Sequence, residues 1–161
     1  MIKYLVMDVD GTLTDGKIYI SPSGEAMKAF NIKDGCGIHD MLIPAGITPV
    51  IITGRSSDIV LNRCKELGIS QVYQGVQDKI KKLIELTPEL ISIAYIGDDI
   101  NDLPCMNLLN ENGGLIGCPA DAVPEVKMIC GFVSERNGGD GAVREFIEWV
   151  IEANQNEAKM N

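Results

Sequence analysis

The stretch Lys3-Tyr4-Leu5-Val6-Met7-Asp8-Val9-Asp10-Gly11-Thr12 runs from apolar residues into two acids, a glycine and a hydroxyl. Residues 3–8 read as a strand buried on both faces, because the apolar run does not alternate with polar residues. The acids stand where that strand ends. In open parallel α/β sheets, ligands bind beyond the carboxyl ends of the strands.

The same pattern recurs along the chain. Residues 17–20 and 26–30 flank the turn Ser21-Pro22-Ser23-Gly24 and predict a small β-hairpin over about 17–30. A short helix is expected over 37–43, stopped by Pro44 and Gly46. Pro49-Val50-Ile51-Ile52-Thr53-Gly54 predicts a second buried strand, 56–67 a helix closed by Gly68, 71–74 a strand and 76–86 a helix. Residues 92–97 predict a strand followed by a helix to about 109, and further strands are expected at 115–117 and 129–133. A final amphipathic helix over 141–153 turns Val143, Phe146, Ile147 and Val150 inward, and 154–161 is expected to be a polar, frayed tail. Apolar strands alternating with helices predict an α/β fold: a three-layer, doubly wound, mostly parallel sheet, in one domain over 1–153.

Composition excludes several functions. The 161 residues carry 23 acids against 14 bases, a formal net charge of −9, with no basic stripe to hold nucleic acid or an anionic membrane. No apolar run is long enough to span a bilayer, and the apolar run before Asp8 is too short for a signal peptide. The five cysteines form no C-x-x-C pair, so free thiols and a soluble cytoplasmic protein are expected. His39 is the only histidine, which argues against a zinc site or a Ser-His-Asp triad. This length also leaves little chain for a separate specificity domain. A cover for the site is therefore expected from the glycine-rich 138–141 loop, as a mobile flap, or from another subunit.

The residues just beyond the predicted strands form a coherent set: Asp8 and Asp10, then Thr53-Gly54-Arg55, then Lys79 beyond Gln74-Gly75, then Gly97-Asp98-Asp99-Ile100-Asn101-Asp102. Several carboxylates at one edge repel one another and raise their pKa values unless a cation joins them. Oxygen donors without cysteine or histidine favour Mg²⁺. An Asp beside such an ion can attack phosphorus, and a second acid two residues on can exchange the proton. Thr53 and Lys79 are placed to hold phosphoryl oxygens as charge builds on them.

These four elements resemble the motifs of the haloacid dehalogenase superfamily of phosphohydrolases: Asp8-Val9-Asp10-Gly11-Thr12-Leu13-Thr14-Asp15-Gly16, Thr53-Gly54-Arg55, Lys79 and Gly97-Asp98-Asp99-Ile100-Asn101-Asp102. Within it the chain is similar to the capless phosphatases of 3-deoxy-D-manno-octulosonate 8-phosphate, through Lys28-Ala29-Phe30-Asn31-Ile32-Lys33-Asp34-Gly35, Tyr73-Gln74-Gly75-Val76 and Gly138-Gly139-Asp140-Gly141-Ala142-Val143-Arg144-Glu145. The resemblance implies a hairpin in place of a cap domain, Asp8 as nucleophile and Asp10 as general acid/base. It implies Mg²⁺ held by Asp8, the Asp10 carbonyl and Asp98, with Asp99 and Asp102 in support, and a phosphoryl group held by Thr53 and Lys79. It further implies a homotetramer in which hairpins associate and a neighbouring subunit completes the active site.

Arg55, Arg63 and Arg144 are the candidates for binding the sugar-acid phosphate, since guanidinium pairs bidentately with carboxylate. Arg55 after Thr53-Gly54 resembles the octulosonate branch, whereas Gly117-Cys118-Pro119-Ala120-Asp121-Ala122 looks nearer to phosphatases of nonulosonate (sialic acid type) 9-phosphates. Two other classes compete. A phosphoacceptor receiver domain places its adjacent acid pair after the first strand, but here that pair is split by Val9 and the adjacent pair comes late. A non-catalytic oligomerisation domain would not need the intact set Asp8, Asp10, Thr53, Lys79 and Asp98.

Overall fold

The structure is a computed structural model and describes residues 1–160. Tyr4–Met7 forms β1, Thr48–Ile52 forms β4 and Ile93–Ile96 forms β6, with β1 hydrogen-bonded in parallel to both neighbours. Gln71–Tyr73 (β5), Leu115–Cys118 (β7) and Phe132–Val133 (β8) complete a parallel sheet of order β5-β4-β1-β6-β7-β8. From β1 the chain travels to β4 and β5 on one side, then returns to β6 and continues on the other. That reversal opens a crevice beyond the carboxyl end of β1, where Asp8 emerges.

Alternation along β1 explains the two cores. Leu5 and Met7 join the cluster under the helices Ile32–Cys36 (α1), Asp58–Glu66 (α2) and Ala142–Met160 (α6), with Ile38, Val60, Phe146 and Val150. Val6 joins the opposite cluster, with Leu83 of Lys79–Leu86 (α3), Met106 of Leu103–Glu111 (α4) and Val126 of Pro124–Ile129 (α5). Tyr19–Ser21 (β2) and Gly24–Met27 (β3) form the antiparallel hairpin outside the main sheet.

Several boundaries depart from the sequence expectation. The helix expected over 37–43 begins at Ile32, where Asn31 caps it by accepting from the Lys33 N–H at 2.8 Å, and continues as a π-helical turn over Gly37–Leu42. Gly35 and Gly37 weakened the helical signal there. The strand expected over 129–133 is confined to Phe132–Val133, and Ile129 instead ends α5, which starts on Pro124 and is too short to show a full helical period. The residues 154–160 are not a frayed tail but the last turns of α6. Asn154 ties them to the start of β1: its Oδ1 accepts from the Ile2 N–H at 2.6 Å and its Nδ2 donates to the Ile2 carbonyl at 2.9 Å. The final residue of the expected tail, 161, lies outside the described residues.

The other end of α6 is capped from a distant part of the chain. Buried Asp34 accepts from the Arg144 N–H at 2.9 Å, a carboxylate at a helix N-terminus. Burial pushes its pKa up to about 6, and the backbone donors at and just before the start of α6 only partly offset this.

Two measurements check these anchors. Replacing Asn154 by Ala should lower unfolding free energy by about 1–3 kcal/mol, because both polar groups of Ile2 lose their partner. Replacing the exposed Asn156 should change it by less than about 0.5 kcal/mol. Equal denaturant midpoints for the two variants would refute the anchor. Asp34 binds more protons folded than unfolded between its unfolded pKa of about 4 and its folded value of about 6. Stability should therefore fall as pH rises through that window. The difference between the parent and Asp34→Asn should shift by roughly 2–3 kcal/mol across it; parallel stability curves would show that the carboxyl is not perturbed.

Candidate active site

Asp8 continues the sheet by donating its N–H to the Ile96 carbonyl at 3.1 Å. The chain then turns at once: the N–H groups of Thr12, Leu13 and Thr14 all donate to the Val9 carbonyl, at 3.1, 2.9 and 3.1 Å. Gly11 sits in this turn at φ +91°, and a Cβ there would lie 2.0 Å from Asp98 Oδ2. Only glycine lets the loop after β1 and the loop after β6 approach this closely. Thr12 Oγ1 donates to Asp98 Oδ1 at 3.0 Å and fixes the contact.

Lys79 is buried and joins the two sides. Its Nζ donates to Asp8 Oδ1 and to Asp102 Oδ1, 2.9 Å each. It is the first residue of α3, with Asp78 capping that helix by accepting from the Lys81 N–H at 3.0 Å. The helix thus begins at Lys79 rather than at 76, and Lys79 points from its first turn. Asp102 is fully buried and completely engaged. Besides Lys79, its Oδ1 accepts from the Tyr95 hydroxyl at 2.7 Å, and its Oδ2 accepts from the N–H groups of Asp98 and Asp99 at 3.0 and 3.3 Å.

Asp8, Asp98 and Asp102 each bring a carboxylate oxygen within 4.8 Å of the others. Burial, then the charges of Asp8 and Asp102, push Asp98 up to about 8. Burial, then the charge of Asp102, push Asp8 up to about 6 despite Lys79. Burial opposes the charge on Lys79, but Asp8 and Asp102 outweigh it and raise its pKa. One ammonium among three carboxylates leaves excess negative charge, which a cation would neutralise. The donors are all oxygen, with no thiol or imidazole among them, and suit a hard ion such as Mg²⁺. Because Asp102 has its oxygens occupied by other donors, Asp8 and Asp98 are the carboxylates with oxygens to offer.

The surrounding cleft, of about 270 Å³, is lined by Asp8, Asp10, Thr53, Arg55, Asp98 and Asp99, with Gly16, Gly54 and Asn101. Thr53 is buried and held at both ends, its N–H donating to the Tyr73 carbonyl at 3.0 Å and its carbonyl accepting from the Val76 N–H at 3.1 Å. Asp99 lines the cleft, with its Oδ1 accepting from the Ile100 N–H at 2.7 Å. Asp10 pairs with Lys28, and Arg55 Nε stands 3.8 Å from its Oδ2.

Two of the arginines expected at the site do not line this cleft. Arg63 on α2 lies over the Phe30 ring, 5.8 Å from its centroid, and pairs with Glu66 at 2.8 Å. Arg144, in the first turn of α6, pairs with Glu148 at 2.6 Å. The 138–141 loop is not a flap over the cleft either. Gly139 N–H donates to the Thr12 carbonyl at 3.1 Å, Gly138 N–H to Asp121 Oδ1 at 2.9 Å, and a Cβ on Gly138 would lie 1.9 Å from the Gly11 carbonyl oxygen. It packs directly on the turn that carries Asp10. Glu25, Lys28, Ser57 and Tyr95 were not expected near the site. The first two lie on or just after the hairpin, whose direction no local signal in the sequence sets.

No protein-family model matches the chain. The 3-deoxy-D-manno-octulosonate 8-phosphate phosphatase of Escherichia coli K12 is 41% identical over 154 residues, covering 93% of this chain and 79% of the relative. A crystal structure of the Moraxella catarrhalis 3-deoxy-D-manno-octulosonate 8-phosphate phosphatase, in complex with a magnesium ion, a phosphate ion and 3-deoxy-D-manno-octulosonate (KDO), is 40% identical with a TM-score of 0.87, covering 99% of this chain and 91% of that one. The cobalt-bound form of the Haemophilus influenzae phosphatase is 36% identical with a TM-score of 0.87, covering 94% and 88%. By sequence identity and by fold, over nearly its whole length, the chain belongs to the 3-deoxy-D-manno-octulosonate 8-phosphate phosphatases of the haloacid dehalogenase superfamily.

Proposed function

We propose that the protein is a Mg²⁺-dependent phosphomonoester hydrolase acting on 3-deoxy-D-manno-octulosonate 8-phosphate. The observation that carries this is the Asp8–Lys79–Asp102 bridge set against Asp98 in a cleft that also holds Asp10 and Thr53. Its relatives name the sugar acid.

Asp8, Asp98 and the backbone carbonyl of Asp10 would hold Mg²⁺, with Asp99 and Asp102 in support. When bound, the ion would offset the negative charge of the carboxylates and of the phosphoryl oxygens. Asp8 attacks phosphorus as the bond to the sugar oxygen breaks, giving an aspartyl-phosphate. Asp10 protonates that leaving oxygen, then takes a proton from the water that attacks phosphorus and releases inorganic phosphate. The Thr53 hydroxyl and the Lys79 ammonium bind the phosphoryl oxygens, where charge accumulates. Arg55, half-exposed at the cleft, is the residue of this chain best placed to meet the sugar carboxylate.

The assembly we favour is a homotetramer in the cytoplasm, with a neighbouring subunit completing the site. The hairpin supports assembly, since it leaves Ile20 and Met27 exposed in a two-stranded sheet and Ile18 exposed just before it. Five free thiols suit a reducing compartment. No helix of the described residues is long and apolar enough to cross a membrane.

Phosphate release from the octulosonate 8-phosphate should require Mg²⁺, stop on chelation and return when the metal is restored. Asp8→Asn should abolish it, and Asp10→Asn should slow it by about 10²–10⁴-fold. Turnover by Asp8→Asn would refute the covalent route, and faster turnover of a nonulosonate 9-phosphate would reassign the substrate. Light scattering should give four times the 17.5 kDa of one chain, and Ile20→Asp should yield smaller species. A parent protein that runs as a monomer would rule out the shared site.

A further inference from the structure

The hairpin reaches back into the cleft of its own chain. Lys28, just beyond β3, has a buried side chain whose ammonium contacts Asp10 Oδ1 and lies 3.1 Å from Glu25 Oε2. Glu25 Oε2 in turn lies 3.4 Å from Arg55 Nη2, and Arg55 Nε lies 3.8 Å from Asp10 Oδ2. Asp10, Lys28, Glu25 and Arg55 therefore close a ring of alternating charge.

Ser57 anchors this ring to the main body of the chain. It occupies the N-cap position of α2, where a serine hydroxyl ordinarily accepts from the helix backbone. Its hydroxyl makes no cap bond and instead donates to Glu25 Oε1 at 2.6 Å. An available cap has been given up for a contact to the hairpin. A buried ammonium is also costly unless its partners are well placed, so Lys28 is an expensive way merely to attach a hairpin.

We infer that Lys28 is a positioning residue for Asp10: its contact with Oδ1, with Arg55 Nε on the Oδ2 side, fixes the direction in which the carboxyl meets the leaving oxygen. This rests on the reading of Asp10 as the general acid/base. A general acid works only within hydrogen-bond reach of the atom it protonates, about 2.6–3.2 Å. Asp10 lies at the cleft rather than deep in the core, and without the ammonium only Arg55 Nε, 3.8 Å from Oδ2, would still hold its carboxyl within the ring. In the first step the Asp10 proton passes to the bridging oxygen as the P–O bond to the sugar breaks and the bond to Asp8 forms. In the second, water attacks phosphorus and gives a proton to Asp10 while the bond between phosphorus and Asp8 breaks, releasing inorganic phosphate.

Positioning of an acid has a signature that loss of structure lacks, because a leaving group that departs as a stable anion needs no proton. Lys28→Met should lower kcat on the sugar-acid phosphate by about 10–100-fold, within the range for a mispositioned acid. It should lower kcat much less on p-nitrophenyl phosphate, with KM changed little on either. Ser57→Ala and Glu25→Gln, outside the reacting groups, should give the same selectivity with smaller losses. They carry the test if thermal melts show Lys28→Met to be unfolded. Asp10→Asn is the control. If it is selective and the Lys28, Glu25 and Ser57 variants lose both substrates equally, the positioning role is overturned and Asp10 keeps its role. If Asp10→Asn itself loses both substrates equally, Asp10 is not the acid, and the inference falls with that reading.

Discussion

Lys79 sets one buried ammonium 2.9 Å from both Asp8 and Asp102, and the rest of the site is arranged around that bridge. Three carboxylates at the edge of a buried sheet would repel one another, and a single lysine offsets only part of that cost. The remainder is borne by Asp98, driven to about 8 by burial and by its two acidic neighbours. Asp102 cannot relieve it, because Lys79, Tyr95 and two backbone N–H groups already occupy its oxygens. A cation shared by the cluster would let its carboxylates stay ionised together. A site of this kind couples electrostatic cost in the free chain to affinity for a hard metal ion.

Close backbone approach is the second constraint. Gly11 admits the Asp98 carboxylate, and Gly138 packs against the Gly11 carbonyl. Three loops, after β1, after β6 and before α6, thereby meet at one glycine turn. The Asp34 cap then ties the start of α6 to α1, and Asn154 ties the far end of the same helix to the start of β1. A 19-residue helix thus spans from the turn carrying Asp10 to the beginning of the central strand. Rigid loops on a scaffold held at both ends are what a reaction sensitive to small displacements requires.

The hairpin has two sides with different uses. Its apolar side chains Ile18, Ile20 and Met27 face away from the chain's own core, whereas Glu25 and Lys28 turn back to Arg55, Ser57 and Asp10. It is both a surface that invites a partner and a fixture of its own cleft.

Much of this was legible without coordinates. Uniform apolar runs at 4–7, 49–52 and 93–96 read as doubly buried strands, and with the short strand at 71–73 they set the acids, Thr53 and Lys79 at strand ends, which a parallel sheet gathers at one edge. Local chemistry therefore determined the fold class, the cluster and its need for a cation. The sequence could not say that Arg63 lies over Phe30, that Arg144 pairs along α6, or that 138–141 packs against the turn carrying Asp10. Nor could it show that Lys28 reaches Asp10 or that Glu25 reaches Arg55. Those placements depend on the angle at which a hairpin and two helices return to the sheet. That angle is set by packing between residues far apart in the chain, and only the tertiary structure decides it.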